Sequence, residues 1–87
     1  MSLSQVTAPV WVCVEDAHGR RLINGVIFQP GQAIPTVRGA ELLVNLGNNS
    51  VAVKINGKPY TLPAPAAIGL RITPTHVSSL PTAPTCG

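Results

Sequence analysis

Charged and aromatic residues are both scarce in this chain of 87 residues. Charged side chains make up 10% of the sequence, against about 25% in an ordinary soluble domain. Asp and Glu together number three, and His two. This leaves few groups that could act as catalytic acids, bases or activated nucleophiles. We therefore predict that the chain is not an enzyme.

Basic and aromatic residues form no pattern typical of nucleic-acid binding. The six Lys and Arg residues are scattered, and only Arg20 and Arg21 are adjacent. One Trp, one Tyr and one Phe provide no row of rings on which bases could stack. The sequence thus predicts no nucleic-acid partner for this segment, while the net charge of +3 favours weak attraction to anionic surfaces.

Long apolar runs and helical periodicity are absent as well. No run reaches the roughly 18 apolar residues that a membrane-spanning helix needs. The first residues lack the basic and apolar regions of a signal peptide. We interpret residues 1–8 as a leader or linker and expect the chain to be a piece of a longer protein.

Metal and cofactor motifs are missing. Cys13 and Cys86 lie far apart, and His18 and His76 do not complete the spacing of zinc ligands. Gly47-Asn48-Asn49 is followed by neither a helix nor the lysine of a phosphate-binding loop. We predict neither a metal nor a cofactor.

The sequence does contain strands joined by specific turns. Asn56-Gly57 separates two segments, 51–55 and 58–62, in which apolar residues alternate with polar or small ones. Asn-Gly suits the positive φ angles of a type I′ turn, whose twist matches that of paired strands. These residues therefore predict a β-hairpin.

Further strands are predicted along the chain. In residues 10–14 the three valines share one face, while Trp11 and Cys13 share the other. Gly25 interrupts a strand, which indicates a bulge or a close backbone approach, and Pro35 suits an edge strand. The predicted extended segments are 10–14, 20–29, 33–37, 41–46, 51–55, 58–62 and 68–73.

About seven short, mainly antiparallel strands favour an all-β fold, a small β-sandwich or barrel. We place the β-sandwich domain at residues 9–73. Within it, the prolines and alanines of 63–67 predict a loop. The Pro/Thr-rich residues 74–87 predict a C-terminal tail that acts as a linker.

The order of these turns resembles a known family. The residues that carry the resemblance are Trp11-Val12-Cys13-Val14, Asp16, Gly19, Leu22, Gly25, Gly31, Leu46-Gly47-Asn48 and 53–58. Together they are similar to the extracytoplasmic C-terminal domain of RodZ-like bacterial cell-shape proteins, over residues 9–73. The resemblance implies an immunoglobulin-like sandwich on the periplasmic or cell-wall side of the membrane. It also implies a membrane helix and a cytoplasmic helix-turn-helix domain, neither of which is in this chain.

The function implied by the resemblance is a non-enzymatic one. We expect an interaction or positioning module of a membrane-anchored cell-shape protein, with envelope or morphogenesis proteins as partners. The alternative is a peptidoglycan- or carbohydrate-binding module, which would stack sugars on exposed aromatic rings.

Two cysteines and three further residues are the candidate functional positions. Cys13 and Cys86 could form a disulfide in an oxidising compartment, or Cys13 could be a buried thiol and Cys86 a free one. Trp11 is either a core residue or an exposed anchor for a partner. We expect partner contact at a sheet edge or face near Trp11, Arg38 and Tyr60.

Overall fold

Eight β-strands in two antiparallel sheets make up the fold in the computed structural model, which describes residues 1–62, 68–80 and 84–86. A three-stranded sheet has the order β1-β5-β6, and a five-stranded sheet has the order β3-β2-β4-β7-β8. The strands are β1 (Ser2–Ser4), β2 (Val10–Asp16), β3 (Arg21–Phe28), β4 (Leu42–Leu46), β5 (Ala52–Ile55), β6 (Lys58–Tyr60), β7 (Ile68–Ile72) and β8 (Val77–Ser79).

The predicted all-β class and small β-sandwich are confirmed. Every strand pairing in the described ranges is antiparallel. The same ranges contain no helix long and apolar enough to cross a membrane. The finer expectation of an immunoglobulin-like arrangement stays a prediction, and the loop predicted at 63–67 lies outside the described residues.

The core lies between the two sheets and follows from alternation along each strand. On β2, β4 and β7, every second residue is buried, and Val14, Val44 and Leu70 line up across the three strands. Burying one such side chain contributes about 1.5–3 kcal/mol. Leu3 and Val53, which pair across β1 and β5, add the apolar face of the smaller sheet.

The sheets begin earlier in the chain than the predicted domain boundary. Residues 2–4 form β1 and pair with β5, instead of forming part of a leader. Leu3 and Val6 are buried in the core, and the Thr7 N–H donates to the Ser50 carbonyl oxygen at 2.9 Å. The alternation Ser-Leu-Ser is a strand pattern that a single leucine makes hard to recognise.

The sheets also extend into the predicted tail, so its description as a linker needs correction. A turn joins Thr73 and His76 through a 2.8 Å bond from the Thr73 N–H to the His76 carbonyl oxygen. This turn reverses the chain, and β8 pairs with β7 from Leu70↔Ser79 to Ile72↔Val77. Residues 81–83 and 87 lie outside the described residues.

The edge strand predicted near Pro35 is wrong. The connection from Phe28 to Leu42 contains no strand. Pro35 has no N–H to donate to a ladder. Nearby, Val37 is buried and forms backbone hydrogen bonds with Met1, with its N–H 3.1 Å from the Met1 carbonyl oxygen. The edges of the five-stranded sheet are β3 and β8 instead.

The predicted hairpin at Asn56-Gly57 is confirmed. Both residues have positive φ angles, 53° and 77°, and Ile55 pairs with Lys58 across the two-residue turn. Replacing Asn56 by Ala and Gly57 by Val together is expected to lower the free energy of unfolding by at least about 1 kcal/mol, because alanine tolerates positive φ less well than asparagine, and the β-branched valine far less well than glycine. Urea denaturation measures the loss. The control is Asn49→Ala, at an exposed position without positive φ; equal losses in both proteins would contradict the turn argument.

Candidate interaction surface

Trp11 lies on the outer face of the five-stranded sheet, away from the core. Its neighbours Val10 and Val12 are fully buried between the sheets, so the alternation of β2 directs Trp11 to the opposite side. The side chain is partly buried and pairs in register with Ile27 of β3. Trp11 is therefore not one of the core residues.

The C-terminal residues 84–86 cross this same outer face, and we call them the strap. Cys86 forms a disulfide with Cys13, with an S–S distance of 2.01 Å and a Cα–Cα distance of 5.8 Å. Asn45, which pairs with Cys13 on the neighbouring strand, donates its side-chain N–H to the Pro84 carbonyl oxygen at 2.9 Å. The strap explains why Cys13 is fully buried although it faces away from the core.

Gly25 is the residue that makes room for the strap. The pairing of β2 with β3 shifts register between Val12 and Val14, and Gly25 stands in this bulge with a φ of 64°. A Cβ atom there would lie 3.0 Å from the Cys86 Cβ and 3.3 Å from the Trp11 Nε1. Both interpretations of this glycine from sequence, a bulge and a close approach, are confirmed.

An exposed apolar strip adjoins Trp11 at the edge of the sheet. Val26 is 43% exposed and Ile27 57% exposed, and both belong to edge strand β3. Trp11 and Ile27 share the outer face, whereas Val26, which pairs with the core residue Val12, lies on the opposite face of the same edge; these three residues form what we call the β3 edge patch. The outward-facing N–H and C=O groups of an edge strand are open to pairing with another chain, so this patch combines apolar surface with backbone hydrogen-bonding groups.

Arg38 and Tyr60 lie elsewhere, and the structure does not gather the three predicted contact residues at one place. Arg38 is exposed in the connection between β3 and β4, where it lines a groove beside the hairpin. Tyr60 is on β6 of the smaller sheet, where it pairs with Val53 and packs partly against the core. Only Trp11 belongs to the β3 edge patch.

The carboxylates are engaged in local contacts. Glu15 lies 4.0 Å from Arg21, and Glu41 lies 2.5 Å from Arg71. The N–H groups of Arg20 and then His18 donate to the Asp16 carboxylate, each at 2.9 Å, and hold its pKa below the ordinary value. No group of three or more metal-binding side chains lies together within the described residues.

A family model described as the RodZ C-terminal domain matches residues 5–71. The chain belongs to the RodZ C-terminal domain family. The predicted family is thereby confirmed, and membership indicates a module of a cell-shape protein. Comparison with curated proteins gave no match, and comparison with solved structures gave none either.

The match to the RodZ C-terminal domain starts at Gln5, inside the segment interpreted as a leader. Of the β3 edge patch, Trp11 was predicted from sequence as a contact residue, whereas Val26 and Ile27 were not. A signal for these two existed: Val26, Ile27 and Phe28 are three consecutive apolar residues, and only one face of a strand can enter the core. Phe28 is buried and Ile27 is exposed, as this alternation indicates, whereas Val26 shares the face of Phe28 and is exposed because it lies at the sheet edge.

Proposed function

We propose that this domain is a non-enzymatic interaction module, carried outside the membrane by a membrane-anchored cell-shape protein, and that it positions envelope or morphogenesis proteins. The observation that carries the proposal is the β3 edge patch, because apolar side chains at an open sheet edge favour contact with a protein partner. The Cys13–Cys86 disulfide supports the extracytoplasmic location, since disulfides persist in oxidising compartments.

The surface also supports the non-enzymatic part of the proposal. The histidines, His18 and His76, are exposed in turns, and each carboxylate is held by a neighbouring cation or turn. No described ionisable cluster combines a nucleophile with a base that a third group orients, which is the arrangement that covalent catalysis needs. Hydrolysis of a wall substrate at enzymatic rates would overturn this part.

The mode of contact that we propose is strand addition at β3. The bulge at Asn24-Gly25 disturbs the first half of the strand, and bulges discourage edge pairing. Residues Val26 to Phe28 remain regular, so an extended partner segment with an apolar residue facing Ile27 fits here. The carbohydrate-binding alternative gains no specific support, because no aromatic residue lines either of the two described grooves.

The Ile27→Asp variant tests the β3 edge patch. We expect affinity for an envelope partner to fall at least about tenfold, because a charge would be desolvated in the contact, with little change in stability at a position 57% exposed. The measurement is NMR titration of the labelled domain with soluble extracytoplasmic domains of elongation-machinery proteins. Amide shifts should cluster on β3 and β2.

The matched control is Thr75→Asp, which adds the same charge in the exposed turn between β7 and β8, at the opposite edge of the sheet. Binding to this variant should equal binding to the parent protein. Shifts confined to residues 74–87, or equal loss of binding in both variants, would refute contact at β3.

A further inference from the structure

A groove lined by both polar and apolar residues lies on a different part of the molecule from the β3 edge patch. It has a volume of about 460 Å³, within the range of roughly 300–1,000 Å³ typical of small-molecule sites. We call it the hairpin groove, because the Asn56-Gly57 turn forms one of its walls. The other walls come from residues 1–2, the 36–39 connection, the start of β4 and the end of β7.

The hairpin groove is lined by cations and by no carboxylate. Arg38 and Lys54 both line it and are both exposed. Neither forms an ion pair with a described residue, because Glu15 and Glu41 are paired with Arg21 and Arg71. The third carboxylate, Asp16, accepts hydrogen bonds from its own turn.

This distribution concentrates unbalanced charge at one place. Two of the chain's six basic residues face the same groove, and the ion pairs on β2–β3 and on β4–β7 neutralise the sheet beside it. A groove lined by one sign of charge raises the local concentration of oppositely charged ligands. The ligand that fits is therefore an anion.

Neutral donors surround the two cations. Ser2 and Thr36, which line the groove, carry side-chain hydroxyl groups, each able to donate one hydrogen bond, whereas the Thr73 hydroxyl already donates to the His76 carbonyl oxygen at 3.1 Å. An arginine fork binds two oxygens of one phosphate, while a lysine acts as a point charge on the same group. Hydroxyl donors complete the contacts of a tetrahedral oxyanion or of the polyol attached to it.

We propose that the hairpin groove binds a phosphate ester carried on a small polar group, with Arg38 and Lys54 as the residues that hold the phosphate. The same chemistry occurs in soluble glycerol phosphates and in the headgroup of an anionic phospholipid. This inference does not rest on the proposed protein contact at β3, and either can fail without the other.

The test is an NMR titration of the labelled domain with glycerol 3-phosphate, with glycerol as the uncharged control. Amide shifts are expected to cluster at residues 36–39 and 54–57 and to saturate at millimolar concentration, while glycerol causes none. A parallel arm measures co-sedimentation with phosphatidylglycerol vesicles against phosphatidylcholine vesicles, which distinguishes a lipid headgroup from a soluble ester.

The Arg38→Ala, Lys54→Ala double variant should lower the affinity of whichever probe binds by at least about tenfold. Its control is the Arg20→Ala, Lys58→Ala double variant, which removes the same charge from two exposed residues that do not line the groove; its affinity should change less than about twofold. Equal losses in both variants, shifts scattered over all basic residues, or no binding to either probe would overturn the proposal. Equal urea midpoints of the two variants show that folding does not cause the difference.

Discussion

Removing the disulfide by replacing Cys13 and Cys86 with Ala is expected to lower the free energy of unfolding by roughly 4 kcal/mol. The bond closes a loop with a sequence separation of 73 residues, and in the chain-entropy model that loop restricts the unfolded state by about this amount. Small domains are stable by about 5–15 kcal/mol in total, so this one change removes a large share. Thermal and urea unfolding, compared with the parent protein, measure it.

Alanine at the buried Cys13 also leaves a cavity, which lowers stability separately from the lost bond. Reductant provides the control, because it breaks the bond without leaving a cavity. Reducing the parent protein should shift its unfolding midpoint in the same direction, whereas the double variant should not respond to reductant. Mass spectrometry of freshly purified protein should find both thiols protected from alkylation. A midpoint unaffected by reductant, or native alkylation of Cys86 alone, would contradict the bond.

The second large effect is expected at Gly25, where Ala should cost about 2–5 kcal/mol. Part of the cost is the positive φ, which disfavours a Cβ by about 1–2 kcal/mol. The rest comes from overpacking, typically about 1–3 kcal/mol, because the new Cβ would meet the Cys86 Cβ at 3.0 Å. The disulfide restrains Cys86, so this neighbour cannot simply rotate away.

Gly19→Ala separates the two contributions. Gly19 has a similar φ of 77°, but a Cβ there would meet no atom within 4 Å, so only the backbone cost applies. In the protein without cysteines, where the strap is released, Gly25→Ala should cost little more than Gly19→Ala. The parent, Gly25→Ala, the protein without cysteines and the protein without cysteines that carries Gly25→Ala form a double-mutant cycle, which urea midpoints measure. A cost at Gly25 that is the same with and without the disulfide would show that the strap does not cause it.

Local turn chemistry accounts for what could be predicted from the sequence. Asn56-Gly57 defines its own geometry because few other residue pairs accept two positive φ angles. The valines at positions 10, 12 and 14 likewise define which face of β2 enters the core. These signals are contained within a few residues, and the hairpin, the core strands and the bulge at Gly25 all followed from them.

Pairings between distant segments could not be predicted in the same way. β1 is only three residues long and acquires its structure from β5, about fifty residues away in the chain. β8 depends likewise on β7, because only the valine of its three residues, Val-Ser-Ser, is a strong strand former. The placement of Trp11, Arg38 and Tyr60 depends on such pairings too, because they share no sequence neighbourhood, and only the sheet order reveals that Trp11 adjoins Ile27.

The strap also has a mechanical consequence. Because Cys13 is bonded to Cys86, tension applied between Met1 and Cys86 passes through the covalent bond and bypasses β3 to β8. Only the residues before Cys13 can extend, to a length of roughly 40 Å at about 3.4 Å per residue, compared with roughly 290 Å for the reduced chain. Tension between these two points would thus be carried without loading strands β3 to β8, and β1 and the first half of β2 are the strands that it could pull away.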